Sequence, residues 1–199
     1  MFNYLAQNYK IIIAVITVAL AFVGYVPYFR DILKGKTTPH LFTWLVWTLA
    51  VGISAALQIY GGAKSGAWTT VAVTIICLGV LTLSIKKGTK NIKKVDIIFL
   101  VLALLSLFFW LVIDKPIWSA ILIVATDLLG FAPTIRKTWN DPHSETLSMY
   151  KITGIRHALS IVALAQYNIL TLLYPIAWTV ANVLFSVMLI IRRKSHKIF

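Results

Sequence analysis

Seven stretches of this chain are apolar for about the length that crosses a bilayer: roughly 11–30, 41–60, 66–85, 95–113, 117–136, 146–167 and 170–191. A spanning helix needs about 20 such residues. Inside lipid a backbone must also satisfy its own hydrogen bonds, which favours helices. The expected fold is therefore an all-α membrane protein with seven transmembrane helices. Composition agrees: 59% of residues are hydrophobic, 13% are charged and mean hydropathy is +0.85, against about 45–50% apolar residues in soluble domains. The first run follows "MFNYLAQNYK" and has no small-residue cleavage site after it, so it reads as a retained helix, not a removable signal. The fourth run is the most purely apolar, lies between Asp96 and Asp114, and offers no functional polar group in its middle. The last two runs meet tightly around Asn168.

A net charge of +13 would suggest nucleic acid in a soluble chain. Here the basic residues fall between the apolar runs, which excludes that reading and makes the lipid bilayer the partner. One side of the membrane receives Arg30, Lys34, Lys36, Lys86, Lys87, Lys90, Lys93, Lys94, Arg136, Lys137, Lys151, Arg192, Arg193, Lys194 and Lys197. The other receives Lys10, Lys64 and Lys115, and Arg156 lies within a span. This bias places the N-terminus outside and the C-terminus in the cytoplasm, in what reads as a bacterial or archaeal plasma membrane. Cys77, the single cysteine, cannot form an internal disulfide and reads as packing.

"GYVPYFRDILKGKTTPHLFTW" at 24–44 returns as "GFAPTIRKTWNDPHSETLSMY" at 130–150, 106 residues later and without a gap. Gly24 aligns with Gly130, Pro27 with Pro133, Arg30 with Arg136, Thr38 with Ser144, Leu41 with Leu147 and Trp44 with Tyr150. Lys86–Lys87 and Arg192–Arg193 keep the same offset, whereas "AWT" at 67–69 and 177–179 is shifted by about one helical turn. The expected organisation is a three-helix repeat over 1–90, a linker helix over 91–115 and a second three-helix repeat over 116–199. One inserted helix keeps the two copies parallel, related by an axis along the membrane normal.

This layout resembles the SWEET and PQ-loop transporter superfamily over nearly the whole chain. The glutamine of the PQ dipeptide is missing, since Tyr28 follows Pro27 and Thr134 follows Pro133, while "APTIRK" and "SETLSMY" look like the corresponding SWEET segment. The resemblance implies alternating access around a midplane site, with prolines at the inner gate and an asparagine in the third helix of each repeat. Pro27 and Pro133 match two of those gate prolines, with Gly24 and Gly130 allowing close approach one turn earlier. Alternatively, the two prolines simply end their helices. Asn182 matches the asparagine of the second repeat, but the first offers only Ala72 or Ile76. The KDEL receptor, cystinosin-like carriers and bacterial vitamin carriers share the architecture, so the resemblance leaves the substrate open.

The residues themselves nominate a site. Trp178 and Asn182 share a face of the last helix, where lipid could not satisfy an amide, so they are expected to line a substrate cavity. The competing reading makes Asn182 interhelical glue. Asp127 and Arg156 fall at the same depth near the bilayer centre and should contact one another, directly or through one water, as a structural ion pair or as part of the transport path. His157 adjoins them and could titrate near neutral pH, opening a route to proton coupling. Trp44 and Trp47 read as an interfacial aromatic belt, with Trp47 also a candidate for the cavity wall. Ser54 could meet a solute hydroxyl or bond its own helix. Gln166 is a further candidate gate contact near the outer end of the sixth helix.

Nothing catalytic is legible: there is no Walker A, HExxH, CxxC or paired-carboxylate motif, no lysine mid-way along the last helix, and no metal-ligand spacing among the four histidines. No enzyme activity, cofactor or metal is expected. The expected function is transport of a small polar solute, sugar-like first because Trp178 and Asn182 carry no charge. The alternatives are a proton-coupled amino-acid or vitamin carrier, or a non-transporting receptor on the same frame. A homo-oligomer is left open.

Overall fold

The computed structural model describes residues 2–35, 38–90, 92–140, 142–143, 145 and 147–195, with backbone alone at 2–7, 133, 136, 137 and 195. Lys36, Ser144 and Lys197 thus lie outside the described residues, as do the side chains of Pro133, Arg136 and Lys137. Among the described residues there are seven α-helices and no strand. They are α1 (Phe2–Leu33), α2 (Leu41–Tyr60), α3 (Trp68–Lys87), α4 (Lys94–Leu111), α5 (Pro116–Asn140), α6 (Leu147–Val162) and α7 (Ile169–Ser195). A short 3-10 turn at Lys64–Ala67 precedes α3.

Five segments are long and apolar enough to cross a membrane: Asn8–Leu33, Leu41–Tyr60, Lys64–Lys87, Lys94–Leu111 and Ile169–Lys194. Pro116–Ala132 is a shorter apolar helix. The protein is therefore all-helical, with the long apolar helices of an integral membrane protein. α6 is the exception. It has 16 residues, ends five short of the expected 167, and holds Lys151, Arg156 and His157.

Local chemistry explains where helices start and stop. Pro116 opens α5, where its missing N–H would have had no intrahelical partner. Asp96 Oδ2 accepts the Lys93 N–H at 2.7 Å to begin α4. Asn168 Oδ1 accepts the Leu170 and Thr171 N–H groups at 3.0 and 3.3 Å, capping α7. The turn after α2 passes through Gly62 at φ +84°, a conformation that favours glycine.

The prolines do not end their helices. α1 runs on from Pro27 to Leu33, and α5 from Pro133 to Asn140. Close approach at Gly24 is also absent, since a methyl built there meets nothing within 4 Å. At Gly130 a built methyl would lie 3.6 Å from Trp47 Nε1, an ordinary contact.

α3 packs against both α1 and α2, and α7 packs in the same way against α5 and α6. α1 meets α6, α2 meets α5, and α4 lies on α5 and α2. Ser106 of α4 anchors that last contact, its Oγ 2.9 Å from both the carbonyl and the hydroxyl of Ser119.

At the basic end, carbonyls at matching positions are capped, three by cationic side chains and one by a backbone N–H. Lys87 Nζ donates to the Leu33 carbonyl at 2.9 Å, and Arg192 Nη2 donates to that of Trp139 at 2.8 Å. The Thr89 N–H donates to the Pro39 carbonyl at 2.9 Å, and Arg193 Nη2 to that of Glu145 at 2.6 Å. Positions 33 and 139, like 39 and 145, differ by the 106-residue offset of the sequence.

At the opposite end the turn after α2 clasps the 163–168 loop. The Ala165 N–H donates to the Ala63 carbonyl at 3.1 Å, Asn168 Nδ2 to Gly61 at 2.7 Å, and Ser65 Oγ to Ala163 at 3.2 Å. Lys10 Nζ adds a bond to the Leu164 carbonyl at 2.7 Å. Gly66 permits the approach: a methyl there would lie 2.7 Å from Leu164 Cα.

Candidate functional site

Helical spacing puts Tyr174 and Trp178 on one face of α7, and that face meets the buried carboxylate of Asp127 on α5. Trp178 Nε1 donates to Asp127 Oδ2 at 2.9 Å. Asp127 is 4% exposed. The Trp178 ring stacks on His157 with centroids 6.4 Å apart and planes 21° from parallel, and tilts against Phe131 at 5.6 Å. His157 also meets the Tyr174 ring edge-on at 5.7 Å. Pro175 lies inside α7 between the two aromatic residues, where it removes one helix N–H.

Arg156, 4% exposed, turns towards its neighbour in sequence: its Nη2 lies 3.3 Å from His157 Nε2. A guanidinium only donates, so that nitrogen accepts, which requires a neutral ring with its proton on Nδ1. The expected direct contact between Asp127 and Arg156 is not formed. Among the described residues the one salt bridge joins Arg30 and Asp31, on the surface. The carboxylate is held by the neutral indole donor of Trp178 on α7, and the guanidinium by the ring beside it. A buried ion pair recovers its desolvation cost only with good geometry and full hydrogen bonding, and the α7 indole already meets the carboxylate. Arg156 Nη1 is buried and has no partner.

The other candidates sort differently. Asn182 is 1% exposed, and its Nδ2 donates 2.7 Å to the Trp178 carbonyl four residues back. Its Cβ would lie 3.3 Å from a methyl built at Gly154, so it sits where α6 presses on α7. That donor serves its own helix, so it neither faces a solute nor ties α7 to a neighbouring helix. Ala72 and Ile76 are buried core residues. Ser54 makes no bond to its own helix: its buried Oγ is unpartnered and faces a void of about 10 Å³ shared with Tyr174. Such a void has room for one water at most.

Trp44 and Trp47 do not stand at an exposed surface as an aromatic belt would. Trp44 is 5% exposed and packs on Tyr28 and Trp47, with ring centroids at 5.4 and 5.2 Å. Both rings face protein because α2 is enclosed by α3, α4, α5 and α7. Trp47 reaches Gly130, one turn along α5 from Asp127. The Pro27 side chain is exposed, away from the cluster. Gln166 belongs to the 163–168 loop, beside Gly62, and not to α6.

Sequence reasoning missed Tyr174 and Phe131. Tyr174 was readable, four residues before Trp178 on the same face. Phe131 is an ordinary apolar-run aromatic until tertiary packing places it. Among the described residues no three His, Cys, Asp or Glu side chains come together as a metal site would need. Comparisons with family models, with curated proteins and with solved structures return no match to this chain.

Proposed function

We propose that the chain is a membrane carrier for a small polar solute, working by alternating access. In this reading 1–90 and 116–199 form two parallel three-helix bundles, 91–115 is the linker helix, and all seven helices cross the membrane. The matching carbonyl caps at Leu33 and Trp139, and at Pro39 and Glu145, support the duplication. The positive-inside bias makes the basic end cytoplasmic and the clasped end outer. The resemblance to SWEET and PQ-loop transporters points the same way.

The observation that carries the proposal is the cluster of Asp127, Arg156, His157, Tyr174 and Trp178. Asp127, Arg156, His157 and Tyr174 are buried and Trp178 is half-buried. Ionisable groups deep in a membrane protein are costly to insert, about 2.5–3.5 kcal/mol each on insertion scales, and mark solute or ion paths. Because Asn182 bonds its own helix and the charged groups centre the cluster, the binding determinants are placed at Arg156, Asp127 and Trp178. The prolines remain candidate hinges, since both lie within continuous helix.

Purified protein in liposomes, screened for uptake of sugars, amino acids, organic acids and vitamins with and without a pH gradient, should show saturable uptake of one class. Uptake no faster than in protein-free liposomes across the whole screen would contradict the proposal.

A further inference from the structure

We infer that Arg156 is the anchor for a carboxylate, so that the solute recognised at this site is a small organic acid or a zwitterion. This rests on the carrier reading and adds the chemical class of its substrate.

A guanidinium offers five N–H donors, and a buried one needs acceptors for them. Arg156 has a single side-chain partner, the neutral His157 ring, which cannot balance its charge. Nη1 is sealed from the surroundings and has no partner. The carboxylate that would ordinarily complete it, Asp127, accepts from Trp178 and makes no salt bridge to it. Among the described residues no aspartate or glutamate lies within salt-bridge distance of the guanidinium.

The shape of the vacancy in bonding matters as much as its charge. The planar guanidinium fork matches a carboxylate through two parallel bonds, a geometry that a lysine or a neutral donor does not reproduce. A sugar hydroxyl would satisfy the Nη1 donor and leave the charge uncompensated in low dielectric. A carboxylate answers both needs. The ring that Arg156 touches, His157, stacks on Trp178 and meets Tyr174 edge-on, so the group next to the charge is aromatic.

The test uses the purified full chain in detergent, with thermal unfolding as the binding readout. Acetate, L-lactate, L-alanine and L-glutamate are titrated beside acetamide, lactamide and alaninamide. At least one carboxylate should raise the unfolding temperature saturably, and its amide should not. Response to lactate without alanine marks an organic acid, and response to alanine marks a zwitterion. Arg156→Gln should abolish the effect, and Arg156→Lys should weaken affinity roughly ten- to a hundredfold. If Arg156→Gln fails to fold, the wild-type contrast between acid and amide still decides. Equal responses to acid and amide, an undiminished response in Arg156→Gln, or no response to any carboxylate would overturn the inference. Saturable glucose uptake by liposomes without any carboxylate response would sink it and leave the carrier reading standing.

Discussion

Asp127→Asn is expected to cut uptake by about tenfold or more while leaving the protein as stable as wild type. The amide keeps an oxygen for Trp178 Nε1, which Asp127 Oδ2 now accepts at 2.9 Å, but loses the charge that roughly doubles the strength of such a bond. It also removes a carboxylate buried at 4% exposure, so the weaker bond is offset by a smaller desolvation cost. Unfolding free energy should therefore stay within about 1 kcal/mol of wild type. Thermal unfolding and liposome uptake on the same preparation check both halves. If uptake is driven by a proton gradient, the variant should also lose its response to that gradient. Lower stability with normal uptake would make Asp127 a structural tie between α5 and α7.

Trp178→Ala should have the largest effect on stability. It deletes a ring packed on His157, Phe131 and Tyr174 and withdraws a donor from the Asp127 carboxylate. Removing a packed aromatic of this size costs about 3–5 kcal/mol. Trp178→Phe retains most of the ring and loses only the N–H, so about 1–3 kcal/mol is expected for the weakened carboxylate. The two variants divide packing from hydrogen bonding. Thermal unfolding in detergent should rank wild type above Trp178→Phe and Trp178→Ala last; equal stability for all three would mean that the indole is not part of the core.

The all-helical character and the long apolar helices were legible because apolar length in lipid favours helix directly. Helix ends were less so. α1 reaches back to Phe2 and α6 stops at Val162, because caps and loop contacts decide ends and the hydropathy pattern does not record them. Asp127, Arg156, His157 and Trp178 were found from depth and polarity alone, and they do converge. Their direct pairing is not formed. Depth said that Asp127 and Arg156 should meet, yet rotation about each helix axis and the indole donor of α7 settle which atoms do. Trp44 and Trp47 failed similarly, since position near a helix end suggests an interface and only packing shows that α2 is enclosed. The clasp at the far end rests mostly on backbone groups of Gly61, Ala63, Ala163 and Ala165, which no side-chain pattern announces.

Alternating access requires that clasp to open, which makes it the place to test transport. In a Cys77→Ser background, Ala63→Cys with Ala165→Cys would put two thiols on residues whose backbones are bonded at 3.1 Å, close enough for a disulfide to form. Oxidising this variant in liposomes should stop solute uptake, and reduction should restore it, with either single-cysteine variant unaffected throughout. Uptake that continues at the wild-type rate with the disulfide fully formed would contradict the account, because the two halves would then never need to part at that end.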